Sequence, residues 1–89
     1  MATIKKELIV KNNQGLHARP AALFVQVANK FDSAITVRRD DEEVNGKSIM
    51  GILMLGAEKG SVIIVEANGP DAEAALGELE KVINSEEEL

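Results

Sequence analysis

His17 is the only histidine in the chain, and it stands between a turn and the start of a helix. Gly15 lies two residues before it and Arg19 two residues after. Backbone N–H groups in the first turn of a helix have no helical partners and attract anions. An imidazole placed there can hold a phosphoryl group with those amides as ready donors. The same positive end disfavours imidazolium and so favours the neutral, nucleophilic ring. Arg19 adds a fixed charge suited to phosphate oxygens. Gly15 lets the backbone approach closely. On periodicity alone, the plainer reading is a surface histidine beside a helix cap. A metal site is not expected, because no second histidine and no cysteine exists to join His17.

Ser48 also precedes a helix, after Gly46-Lys47. By position alone it is a plain N-cap. The short apolar segment behind it reads Ile49, Met50, Gly51, Ile52, Leu53, Met54, Leu55. A helix this short cannot bury every side. Ile52 and Leu55 are the expected core-facing pair, which leaves Ile49, Met50 and Leu53 partly exposed. Exposed apolar clusters with methionine suit adaptable docking. The plainer alternative is that they pack under the sheet edge.

These residues need elements to position them. Residues 3–11 alternate, with Ile4, Lys6, Leu8 and Val10 on one face, so a strand is expected. Residues 12–15 are turn formers. Pro20, Leu23, Phe24, Val27, Ala28 and Phe31 recur at three-and-four spacing, which predicts an amphipathic helix. Pro20 must lie in its first turn, and Asp32-Ser33 should end it. Residues 34–39 alternate again. Asp40-Asp41 should turn the chain into a short acidic return strand over 42–45, which suits a sheet edge. The β-branched run Val62-Ile63-Ile64-Val65 within 61–68 predicts a central strand. Gly69-Pro70-Asp71 opens a last helix, with Pro70 in its first turn and Asp71 and Glu73 complementing its positive end. Ala72, Ala75, Leu76, Leu79, Val82 and Ile83 form its apolar stripe. The acidic tail, residues 85–89, should fray.

The order is therefore β-α-β-β-α-β-α: an α+β fold with two layers, all helices on one face of an antiparallel sheet. With 89 residues, one domain spanning 1–89 is expected. A domain of this size buries little more than roughly 60% of its unfolded surface, so its stability margin is thin. Ten basic residues against fifteen acidic give a net charge of −5, the wrong sign for neutralising phosphate backbones. Phe24 and Phe31 are the only aromatics, too few to stack single-stranded nucleic acid. Cysteine is absent, which excludes a disulfide scaffold and a thiol nucleophile. No apolar run is long enough to span a membrane, and no signal-peptide pattern opens the chain. A cytoplasmic acidic protein, without nucleic acid, membrane insertion, metal or cofactor, is the expectation.

Gly15-Leu16-His17-Ala18-Arg19-Pro20-Ala21 and Lys47-Ser48-Ile49-Met50-Gly51 resemble the two signatures of the HPr family. These are the histidine-containing phosphocarriers of the bacterial phosphoenolpyruvate:sugar phosphotransferase system. The separation of the motifs, the length and the element order match over essentially the whole chain. The resemblance implies an open-faced sandwich with sheet order β1-β4-β2-β3. It implies that His17 takes a phosphoryl group on Nδ1 from Enzyme I and passes it to a sugar-specific EIIA domain. Arg19 then matches the assisting arginine. Ser48 matches the regulatory serine of the HPr kinase/phosphorylase, and Lys47, Ile49, Met50 and Gly51 match the form that this kinase recognises. Pro20, Ile49, Met50 and Leu53 match partner-binding positions. A catabolite-control transcription regulator is a further implied partner, and the chain is expected to act as a monomer and a stoichiometric carrier rather than an enzyme.

Other readings diverge at identifiable residues. A nitrogen-branch paralogue commonly has alanine where Pro20 stands. A regulatory paralogue that lacks the phosphorylatable histidine is set aside by His17. A fused domain of a larger phosphotransferase is not expected. An acylphosphatase-like hydrolase would need a glycine-rich phosphate cradle beside its arginine, and Arg19 has none. A small-molecule-binding regulatory domain would need a dimer-forming edge, and both expected edges are charged.

Overall fold

The computed structural model describes residues 2–85. The chain runs β1 (Ala2–Ile9), α1 (Ala18–Ala28), β2 (Ala34–Arg39), β3 (Glu42–Asn45), α2 (Ile49–Met54), β4 (Val62–Gly69) and α3 (Ala72–Asn84). The four strands form one antiparallel sheet in the order β1-β4-β2-β3, as expected. The three helices cover one face of it.

Alternation decides which residues meet the helices. On β4, Ile63, Val65 and Ala67 are fully buried. The register sets Ile63 opposite Leu8, Val65 opposite Val37, and Ala67 between Ile4 and Ile35. The other side of β4 is bare: Val62 is exposed, and Ile64 and Glu66 are half-buried. The β-branched run is thus central in the sheet but covered on one face only. Against the buried face lie Phe24 and Ala28 of α1, Ile52 of α2, and Ala75, Leu79 and Ile83 of α3. Full burial of a side chain such as Phe24 or Leu79 stabilises by about 1.5–3 kcal/mol.

Beyond shifts of a single residue, three boundaries differ from the sequence reading. Helix α1 stops at Ala28, not at Asp32-Ser33. Beyond it the hydrogen bonds tighten to three-residue spacing, Lys30 N–H to Val27 O at 3.1 Å and Phe31 N–H to Ala28 O at 3.3 Å. Phe31 nonetheless stays packed on the core. Strand β1 stops at Ile9 because Val10 pairs with a loop instead, donating to Ser61 O at 2.9 Å and accepting from Gly60 N–H at 2.8 Å. Pro70 lies before the helix, since α3 begins at Ala72 with Asp71 as N-cap residue. The tail beyond Ser85, expected to fray, lies outside the described residues.

Asp71 does not cap its own helix. Its carboxylate crosses to the α1–β2 connection, accepting from Asp32 N–H at 2.9 Å, Ser33 N–H at 2.9 Å and the Ser33 hydroxyl at 2.5 Å. Ser33 is fully buried there. Gly69, φ +155, lies so close that a Cβ on it would stand 2.6 Å from Ser33 Oγ. At the other edge, Lys6 reaches Glu80 of α3 at 2.6 Å and fastens β1 to the helical layer.

Candidate functional site

The loop after β1 is built to deliver His17. Asn12 is buried, and its Oδ1 accepts from Gln14 N–H at 3.0 Å while its carbonyl accepts from Gly15 N–H at 2.9 Å. Such a side-chain turn is what asparagine offers a loop. Gly15 then takes φ +71, and a Cβ there would stand 2.4 Å from Ala57 O. Only glycine meets both demands. Leu16 is buried and donates from its N–H to Ala57 O at 2.9 Å.

His17 is the N-cap residue of α1, with extended backbone (φ −88, ψ −168). Its carbonyl accepts from Ala21 N–H at 2.9 Å, but its side chain makes no cap bond. The ring is half-buried. Its Nε2 is closed off from solvent and has no hydrogen-bond partner among the described residues. Arg19, at the second helical position, is exposed. Pro20 sits at the third position, in the first turn as expected. It is fully buried, because the helix turns that side onto the core.

Ser48 is the N-cap of α2, and its Oγ accepts from Gly51 N–H at 3.1 Å. Ile52 and Leu55 are buried, as expected. Ile49, Met50 and Leu53 are exposed, and Met54, 67% exposed, extends the cluster beyond them. Met54 follows Met50 by four residues, so the helical period carried the signal. The patch does not pack under the sheet edge.

Helix α2 lies antiparallel beside α1. At its start, Asn29 Nδ2 donates to Lys47 O at 3.5 Å, and Lys47 Nζ donates to Phe31 O at 2.7 Å. Past its end, Ala57 O holds Leu16, the residue before His17. One end of α2 is thus fixed to the far end of α1, and the other to the His17 loop. The imidazole, the Arg19 cation and an apolar face are therefore gathered along one helical pair.

A family model described as the phosphotransferase-system HPr component phosphorylation site matches residues 4–85. The chain belongs to the HPr family. The phosphocarrier protein HPr of Neisseria meningitidis serogroup A is 44% identical over 81 residues, 91% of each chain. An HPr-like protein Crh of Halalkalibacterium halodurans is 45% identical over 83 residues, 93% of this chain and 99% of that one. The crystal structure of HPr from Bacillus anthracis superimposes with a TM-score of 0.90 at 45% identity, covering 94% of this chain and all of that one. HPr and Crh relatives thus match equally well, and overall identity does not choose between them. Membership of the HPr family brings a general phosphocarrier role. No helix among the described residues is long and apolar enough to cross a membrane.

Two features of the site went unread in the sequence besides Met54. Asn12 is buried, though its turn-former neighbours suggested surface. Arg39, at the end of β2, donates to Leu55 O at 3.0 Å. It shares the parity of Ile35 and Val37, which is the signal that would have turned it toward the helices.

Proposed function

We propose that this chain is a phosphocarrier of the sugar branch. His17 accepts a phosphoryl group on Nδ1 from Enzyme I and passes it to an EIIA domain. The carrying observation is the half-buried ring at the head of α1, whose Nε2 is closed off. That leaves Nδ1 as the nitrogen to meet a donor. A bond from Nδ1 to phosphorus forms as the donor's bond to phosphorus breaks, in an in-line displacement helped mainly by positioning and charge. Arg19 steadies the phosphoryl oxygens. Ile49, Met50, Leu53 and Met54 dock each partner in turn through a small, transient interface. The chain carries its phosphoryl group stoichiometrically, works in the cytoplasm as a monomer, and needs no cofactor.

Ser48 is a regulatory site for an HPr kinase/phosphorylase in this reading, and its phosphorylated form is what a catabolite-control transcription regulator would meet. Pro20 favours the sugar-branch carrier over the nitrogen-branch one, and His17 favours a carrier over a paralogue that lacks the phosphorylatable histidine. The test is incubation with Enzyme I and labelled phosphoenolpyruvate, followed by mapping of the label. Acid-labile, alkali-stable label on His17 is the expected result. Absence of label, or label elsewhere, overturns the reading.

A further inference from the structure

Helix α2 has six residues, no acidic side chain in its first turn and no basic one in its last. A helix this short has little stability of its own. Its last carbonyls face outward from the helix and need donors from elsewhere. Gly56, φ +58, satisfies one by donating its N–H to Leu53 O at 3.1 Å. The Leu55 carbonyl is met by Arg39, whose Nη1 lies 3.0 Å away. Among the described residues this is the only side-chain hydrogen bond that Arg39 makes. It brings a full positive charge to the negative end of the helix from a different element.

Its place in the fold gives that bond a further consequence. Leu55 is two residues before Ala57, and Ala57 O holds Leu16 next to His17. Leu55 is also the residue that ends the Ile49–Met54 helix. Arg39 therefore grips the short segment that joins the apolar face to the histidine loop. We propose that Arg39 is a positioning residue for partner docking, setting the apolar face of α2 at a fixed place relative to His17. This rests on the reading of that face as the docking surface.

Its neighbour supplies the control. Arg38 points to the bare side of the sheet and pairs with Glu43 at 3.2 Å, with both side chains more than half exposed. Arg38→Gln and Arg39→Gln thus remove the same charge one residue apart. The experiment measures transfer from Enzyme I with each variant as the varied substrate, with melts and amide exchange alongside. Arg39→Gln should raise KM by roughly three- to tenfold, within the reach of one charge-assisted hydrogen bond. Its kcat should hold, and exchange should quicken at α2 but not at α3. Arg39→Lys should recover part of the loss, and it keeps the test alive if the glutamine variant folds poorly. Arg38→Gln should match the wild type. An unchanged KM in Arg39→Gln, or an equal rise in Arg38→Gln, overturns the proposal. Met50→Ala separates the two readings. If it raises KM while Arg39→Gln does not, only the role of Arg39 falls. If Met50→Ala leaves KM unchanged, the docking surface itself is wrong and the role of Arg39 falls with it.

Discussion

Asp71 stands at the head of α3, yet its carboxylate belongs to Ser33, 38 residues earlier in the chain. The Ser33 hydroxyl, and after it the Asp32 amide, hold the Asp71 carboxyl below its ordinary value of 3.8. A group with a depressed folded value lends stability above its unfolded value and loses it as pH falls through the folded one. Asp71→Asn should therefore melt earlier than the wild type at neutral pH. The gap should shrink once pH drops below about 3.8 and close in stronger acid. Thermal melts of both proteins across that range check this. A gap that persists unchanged in acid would mean that the carboxylate charge contributes nothing.

His17→Ala should abolish phosphoryl acceptance and leave the melt nearly untouched. The imidazole makes no cap bond, so its loss removes none. It also removes a buried nitrogen that has no hydrogen-bond partner among the described residues. Removing such a group without stranding another is close to neutral, within about 1 kcal/mol. Label from phosphoenolpyruvate and a calorimetric scan read the two halves separately. Label surviving in the variant would sink the assignment.

Arg19→Lys keeps the charge and loses the planar fork. If the fork steadies the phosphoryl oxygens, transfer should slow by about tenfold to a hundredfold, the worth of one charged hydrogen bond of roughly 1.5–3 kcal/mol. Rapid-quench transfer rates decide it. Wild-type rates in both Arg19→Lys and Arg19→Ala would reduce Arg19 to a surface charge.

Ser48→Asp puts a carboxylate at the start of α2, where an anion is favoured. It keeps an acceptor for the Gly51 amide, so the melt should hold. The new charge borders Ile49 and Met50, a surface that a partner must dry. Phosphorylation of His17 by Enzyme I should slow through weaker binding, and Met50→Ala should weaken the same step without charge. Steady-state transfer at limiting concentration, paired with melts, tests both. Normal transfer, or slowness that merely tracks a collapsed melt, removes the switch from Ser48.

The faces of the elements were legible because burial has a period. Ile35, Val37, Ile63 and Val65 announce their side of the sheet, and Leu76, Leu79 and Ile83 their side of α3. The end of α1 was not, since Phe31 keeps the apolar period after the helical hydrogen bonds have tightened. Periodicity reports which residues seek the core, not which backbone geometry takes them there. The site divides in the same way. His17, Arg19 and Ser48 stand in readable local motifs. Asp71 with Ser33, Arg39 with Leu55 and Leu16 with Ala57 are bonds between residues far apart in the chain. Each needs the folded arrangement before either partner has a reason to point anywhere.

The bare side of the sheet gives the molecule a handle. Glu7, Arg38 and Val62 are exposed there, on the side of the sheet away from the helices. A fluorophore or a surface tether attached at Glu7 would leave the histidine loop and the α2 face unhindered. A tethered chain of this kind could be watched one molecule at a time, as donor and acceptor come and go on its other side.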